Sequence, residues 1–297
     1  MAPRPRLGRR TLVILTIVVG ALLVAGFVAL ALRTLLPGTP AGAPTDTMPT
    51  IHVTPSPSPT RAGPPANTKG YDLAGLPAVD VFAVIPALPV DADPTAPTTG
   101  LVATPAAAVV PVFADPTADP VATLASHQTY DGTTVPVVEK YADWVKVLLV
   151  GRETVPSNGQ VAGWIRMADV TLSPLDTHVE VSLSARTIDL VSASGSERIA
   201  TDFGWGTPQT PTPVGRAFVM MTRTAPELGY TRGHPLVYLS TQSEALGDFG
   251  GAAVAVTAFH YHDEHSGDVS NGCLRVSADV IDRLAPLPEG TVVEIRP

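Results

Sequence analysis

Proline occurs 31 times in the 297 residues. Inside a helix it removes a backbone donor and clashes with the preceding turn, so an unbroken helical bundle is excluded. Short strands joined by turns are the expected building unit. The chain has one cysteine, so no intrachain disulfide supports the fold, and Cys273 is a free thiol or an intermolecular partner. The net charge is −8, with Arg4, Arg6, Arg9 and Arg10 at the N-terminus. The remainder is therefore more acidic still, and a nucleic-acid partner is excluded.

Five regions follow along the chain. Residues 1–10 are a basic tail. Residues 11–32 are uncharged and almost wholly apolar, and at about 1.5 Å per residue a helix of that length crosses a hydrocarbon core of roughly 30 Å. A cleavable signal peptide competes with this reading, but its apolar region is normally about 7–15 residues and no clear small-residue cleavage site follows. The arginine flank predicts a single-pass membrane anchor with a cytoplasmic N-terminus and the rest of the chain outside. Residues 33–100 are a Pro-rich linker. Its densest part, 37–68, lacks the large apolar side chains needed to offset ordering entropy, while 71–88 suggests partial order.

Residues 101–173 contain five short β-type runs: Ala108–Phe113, Val121–Leu124, Val135–Val138, Trp144–Val150 and Gln160–Ile165. This predicts a small barrel. The Trp-Val-Lys-Val run from Trp144 and the later Gly-Trp-Ile from Gly163 resemble bacterial SH3-like domains. Trp144 and Trp164 either fill the core or line a groove, the core being the usual place for aromatic residues in small barrels. Residues 174–297 stay β-rich, with a short helix at Asp279–Leu284 and a closing strand at Thr291–Ile295. In the run from Gly251 to His262, period-two alternation places Val254, Val256, Ala258, His260 and His262 on one face.

Residues 270–276 read S-N-G-C-L-R-V. A thiol beside a glycine and an arginine, shortly after a strand that ends in histidines, has the components of a nucleophile: an imidazole takes the proton and a guanidinium favours the thiolate. Gly272 lets backbone amides approach a substrate carbonyl and hold an oxyanion. With the T-P-T-P-V-G-R-A-F stretch from Thr210 and the H-V-E-V-S-L-S-A-R-T-I-D-L-V run from His178, the segment resembles the catalytic domain of bacterial L,D-transpeptidases, the YkuD-type family.

The resemblance implies a mainly β chain ending in a β-sandwich-like catalytic domain. It also implies an acyltransferase that forms 3→3 cross-links between donor and acceptor peptidoglycan stem peptides through a thioester, with acylation of the cysteine by carbapenems. Hydrolysis of the thioester would make it an L,D-carboxypeptidase. No cofactor is implied. Cys273 is the nucleophile and Gly272 part of the oxyanion site. The base is His260, with His262 on the same face as the competitor. Ser270 is assigned to orienting the histidine. Arg275 either biases the thiol, binds a carboxylate or forms a structural ion pair. Asn271 stands where the family often has histidine.

The run H-Y-H-D-E-H from His260 also resembles a binuclear metal motif. Its fifth residue is glutamate rather than aspartate, and no histidine follows to complete a second shell, so no metal is assigned. A non-catalytic wall-binding envelope protein is the alternative function.

Overall fold

The structure is a computed structural model and describes residues 63–297. The predicted anchor at 11–32 and most of the 37–68 spacer lie outside the described residues. Among the described residues, no helix is long and apolar enough to cross a membrane.

Seven strands occupy the first half: β1 (Leu101–Pro105), β2 (Val109–Val112), β3 (Ala122–Ala125), β4 (Val135–Lys140), β5 (Trp144–Leu148), β6 (Ala162–Arg166) and β7 (Val170–Pro174). Five form a sheet in the order β6-β5-β4-β1-β7, and β2-β3 is a separate hairpin. A bridge between Phe113 and Trp164 joins the hairpin to the β6 edge, with reciprocal backbone hydrogen bonds of 2.9 and 2.8 Å. Each of the five expected runs overlaps a strand, and β1 and β7 are additional. Trp144 is fully buried, and its indole N–H donates to the Pro65 carbonyl at 2.9 Å. Trp164 is only partly covered, with the Lys146 ammonium 5.6 Å from its ring centroid.

Part of the stretch read as linker is ordered. Val79, Val81, Ile85 and Leu88 are buried in the core of the first half, and the Val79 N–H donates to the Thr123 carbonyl at 2.8 Å. Apolar residues spaced closely enough to reach a core pack there, while Pro86 within the segment and Pro77 and Pro89 at its ends keep it from forming a regular ladder.

The second half contains β8 (His178–Ser182), β9 (Thr187–Ser192), β10 (Gly195–Ala200), β11 (Gly204–Gly206), β12 (Gly215–Thr224), β13 (Pro235–Gln242), β14 (Val256–Tyr261), β15 (Gly267–Ser270), β16 (Leu274–Val276), helix α1 (Ala278–Leu284) and β17 (Val292–Arg296). The strand order is β10-β9-β8-β17-β12-β13-β14-β16-β11-β15. The protein is mainly β, as expected, and the helix falls where the sequence puts it.

The ten-residue β12 joins the two parts of this sheet. Its start, Gly215–Phe218, pairs with β17, and its remainder pairs with β13. Period-two alternation then sends its side chains in opposite directions. Ala217 and Val219 enter the core of the second half beside Phe259 and Leu274, while Phe218 and Met220 enter the core of the first half beside Val147 and Val150. Burying such side chains stabilises by roughly 1.5–3 kcal/mol each, so the contact between the halves is a hydrophobic core rather than a wet seam. Arg216 on the same strand pairs with Asp91 through hydrogen bonds of 2.7 and 2.9 Å, both side chains being almost fully buried. Removing either partner would strand a buried charge at a cost of about 3–5 kcal/mol.

Candidate active site

β14 and β16 run parallel, with His260 opposite Arg275 and Phe259 opposite Leu274. Cys273 immediately precedes β16. Phe259 points into the core of the second half, and alternation turns its neighbour His260 to the other face. That face opens into a cavity of about 160 Å³, whose walls include Cys273, His260, His262, Ser270, Asn271 and Arg275. Six of the seven residues singled out in the sequence thus meet in one place, and Gly272 lies in the turn beside it.

The turn before the thiol is built by Ser270. Its hydroxyl accepts the Gly272 N–H at 3.1 Å and donates to the Cys273 carbonyl at 2.6 Å. Both bonds lie within the turn: Ser270, expected to orient the histidine, holds its own turn, and the Gly272 amide, expected near the oxyanion, donates to the Ser270 hydroxyl. The described hydrogen bonds leave the Cys273 N–H as the backbone donor of that pair. Gly272 has φ +107°, a conformation that disfavours any side chain. A Cβ there would also lie 3.4 Å from the Pro211 carbonyl. The T-P-T-P stretch therefore supports the cysteine turn from behind, where Thr207 N–H also donates to the Ser270 carbonyl at 3.0 Å.

The two histidines differ in which nitrogen is available. His260 Nδ1 lies 2.9 Å from the Tyr261 carbonyl. A carbonyl only accepts, so Nδ1 carries the proton and Nε2 presents a lone pair. His262 follows the last residue of β14. Its Nδ1 accepts the Glu264 N–H at 3.0 Å, so the proton of the neutral ring sits on Nε2. His260 Nε2 is therefore left as an acceptor and His262 Nε2 as a donor, with ring centroids 6.2 Å apart. Tyr230, which the sequence reading missed, packs edge-on against His260 at 5.2 Å and at a tilt against His262 at 5.7 Å. It comes from a turn far from either motif, and no local pattern announces it.

Burial pushes His260 down to about 4, reinforced by the Arg275 and His262 charges and opposed by the hydrogen bond to Tyr261. Burial also pushes the Cys273 thiol up, opposed by the Ala258 amide and the Arg275 charge. Both shifts favour the uncharged forms, a thiol beside a neutral imidazole. Arg275 lines the cavity and pairs with Glu264 at 3.2 Å, the ion pair that was one of its expected roles. Asp263 is held near about 2 by Arg232 and by the Tyr261 hydroxyl at 2.7 Å. His265 Nδ1 donates to the His262 carbonyl at 2.7 Å. The polar groups of the H-Y-H-D-E-H run are thus engaged by protein partners, and among the described residues no cluster of three or more His, Cys, Asp or Glu is arranged to hold a metal.

Residues 176–295 match the L,D-transpeptidase catalytic domain, the YkuD family. No curated protein sequence matches the chain. Among solved structures, the chain is similar to an L,D-transpeptidase from Mycobacterium smegmatis, with 12% identity over 52% of this chain and 91% of that one and a TM-score of 0.32. A second from Mycobacterium tuberculosis gives 16% identity, the same 52% and 91% coverage and a TM-score of 0.31. The catalytic domain of the Enterococcus faecium L,D-transpeptidase gives 25% identity over 40% of this chain and 96% of that one, with a TM-score of 0.26. The L,D-transpeptidase match covers the second half, including Cys273, His260 and the turn that joins them to the T-P-T-P stretch.

The His260 ring makes stability depend on pH. Free in the unfolded chain it protonates near 6.5, and in the folded chain only near about 4. Between these values the unfolded state binds the extra proton, so stability is full above about 6.5 and falls as the pH drops, by about 3 kcal/mol in all. Denaturation midpoints between pH 7 and 4 should fall more steeply for the wild type than for His260→Asn. Equal acid slopes would show that the folded ring is not held neutral.

Proposed function

We propose that the chain is a membrane-anchored L,D-transpeptidase that joins peptidoglycan stem peptides through a thioester on Cys273. The observation that carries this reading is the lone thiol sharing a cavity with an imidazole whose Nδ1 proton is fixed by a backbone carbonyl, within a domain that matches the family. Sγ attacks the carbonyl between the diamino acid at position three and the terminal D-alanine, and His260 Nε2 takes the thiol proton. The Cys273 N–H faces the developing oxyanion, where a backbone donor contributes about 2.7–4 kcal/mol. The carbon–nitrogen bond then breaks, and D-alanine leaves with the proton from His260. The side-chain amine of a second stem peptide attacks the thioester, releases the thiol and forms a 3→3 cross-link. Water in place of the amine gives an L,D-carboxypeptidase.

The anchor reading is supported by the uncharged run at 11–32 and its arginine flank, and the linker would hold the domain outside, toward the wall. We read residues 101–173 as an SH3-like module on the strength of the consecutive β4-β5-β6 pairing and the buried Trp144.

One experiment addresses both enzyme and location. A cell fraction containing the full chain is incubated with a carbapenem, and the mass of the peptide containing Cys273 is measured. An adduct on Cys273, found in the membrane fraction, is the expected result. No adduct would remove the acyl-transfer reading, and an adduct confined to the soluble fraction would remove the anchor.

A further inference from the structure

Arg152 lies outside the matched residues 176–295, in the loop between β5 and β6, yet it is only 3% exposed. Its backbone is fixed by the segment before β1: its N–H donates to the Ala83 carbonyl at 3.0 Å, and its carbonyl accepts the Ile85 N–H at 2.8 Å. The preceding Gly151 has φ +90°, and a Cβ there would meet the Asp80 carbonyl at 2.8 Å. From this fixed base the guanidinium crosses to the other half of the protein. Nη1 donates to the Gly247 carbonyl at 3.0 Å and Nη2 to the Ala253 carbonyl at 2.8 Å.

These two carbonyls bracket a tight turn in which Phe249 and Ala252 exchange backbone hydrogen bonds of 3.1 Å. The turn belongs to the loop between β13 and β14, and that loop supplies Leu246, Phe249 and Ala255 to the Cys273 cavity. Its base is tied to the same half: Gln242 Nε2 donates to the Val81 carbonyl at 2.8 Å, while Gln242 Oε1 accepts the Ala255 N–H at 3.3 Å. Burying a guanidinium is costly, and Nε finds no partner. The two bonds it does make both restrain this loop.

We propose that Arg152 is a positioning residue for the Cys273 site, setting the Leu246 and Phe249 wall against which the acyl donor lies, so that the first half of the chain governs donor capture. The proposal rests on the acyl-transfer reading of the site. A reacting group displaced by about 1 Å loses on the order of 10²-fold in rate. A small alkylating agent does not lean on the wall, so the two chemistries separate positioning from thiol reactivity.

The test uses the full chain and compares Arg152→Met, which removes both hydrogen bonds but keeps apolar bulk, with Arg152→Lys and Phe249→Ala. Three quantities are read: the rate of Cys273 acylation by a carbapenem, the rate of its alkylation by iodoacetamide across pH 6–10, and amide hydrogen exchange in residues 243–255. Arg152→Met should acylate about 10- to 100-fold more slowly, with an alkylation rate and pH profile within about twofold of the wild type and faster exchange in the loop. Arg152→Lys should recover part of the loss, and Phe249→Ala, an exposed position, should reproduce it. Unchanged acylation in Arg152→Met, or alkylation falling in parallel with acylation, overturns the proposal. If Arg152→Met does not fold, unchanged acylation in both other variants does so. Should the wild type form no adduct, the acyl-transfer reading fails by itself. Loop exchange then still decides the clamp: faster exchange in the Arg152 variants supports it, and unchanged exchange removes it.

Discussion

Cys273→Ala should abolish the carbapenem adduct and lower turnover of stem peptides by at least about 10⁴-fold, because no other thiol exists in the chain to carry the acyl group. The fold should survive. The thiol sits at a cavity wall, 3.9 Å from the Val256 carbonyl and beside the Ala258 amide. Its removal creates no closed void, and the expected stability change is about 1 kcal/mol or less. Cys273→Ser should be nearly as inactive, since a hydroxyl gives up its proton far less readily than a thiol. Turnover near the wild-type level in Cys273→Ala, with a normal melting curve, would end the nucleophile assignment.

His260→Ala should slow acylation by about 10²–10⁴-fold, the contribution expected of a positioned general base, whereas His262→Ala should cost at most about tenfold through loss of a donor or of the Tyr230 ring contact. The distinction follows from two hydrogen bonds, Nδ1 of His260 to a carbonyl and Nδ1 of His262 from an amide, which leave opposite capacities on the two Nε2 atoms. Single-turnover acylation of the two variants at pH 7 decides it, a lost Tyr230 ring contact included. The reverse order, with His262→Ala the slower, would mean that the base is two residues further along the chain.

Much of the site was legible because its members cluster in two short segments. S-N-G-C-L-R and β14 contain the turn glycine and the thiol, imidazole and arginine that meet at the cavity, and alternation along β14 correctly turned His260 away from Phe259. The role given to Ser270 was not legible. A serine three residues before a cysteine can reach a ring or its own backbone, and only the folded turn shows that it closes on Gly272 and Cys273. Tyr230 and Phe249 were missed for a different reason. Each reaches the cavity from a loop whose composition is that of any surface turn, and proximity in space leaves no periodic trace in the chain.

The sequence by itself determined that the protein is mainly β, that a helix lies near residues 279–284, that strands lie in the expected runs of the first half, and that Cys273 and the histidines at the end of β14 line one cavity. These follow from local rules of side-chain alternation, proline placement and short-range motif spacing. Only the tertiary structure decided that residues 79–88 pack as part of a core, that β12 divides its side chains between two cores, and that Arg152 in one half holds a loop over the cysteine of the other. Each of these depends on contacts between residues far apart in the chain. An alternating strand looks the same whether one face meets water or a second core, and a loop arginine looks the same whether it is solvated or buried. The difference lies in what the rest of the chain brings against it.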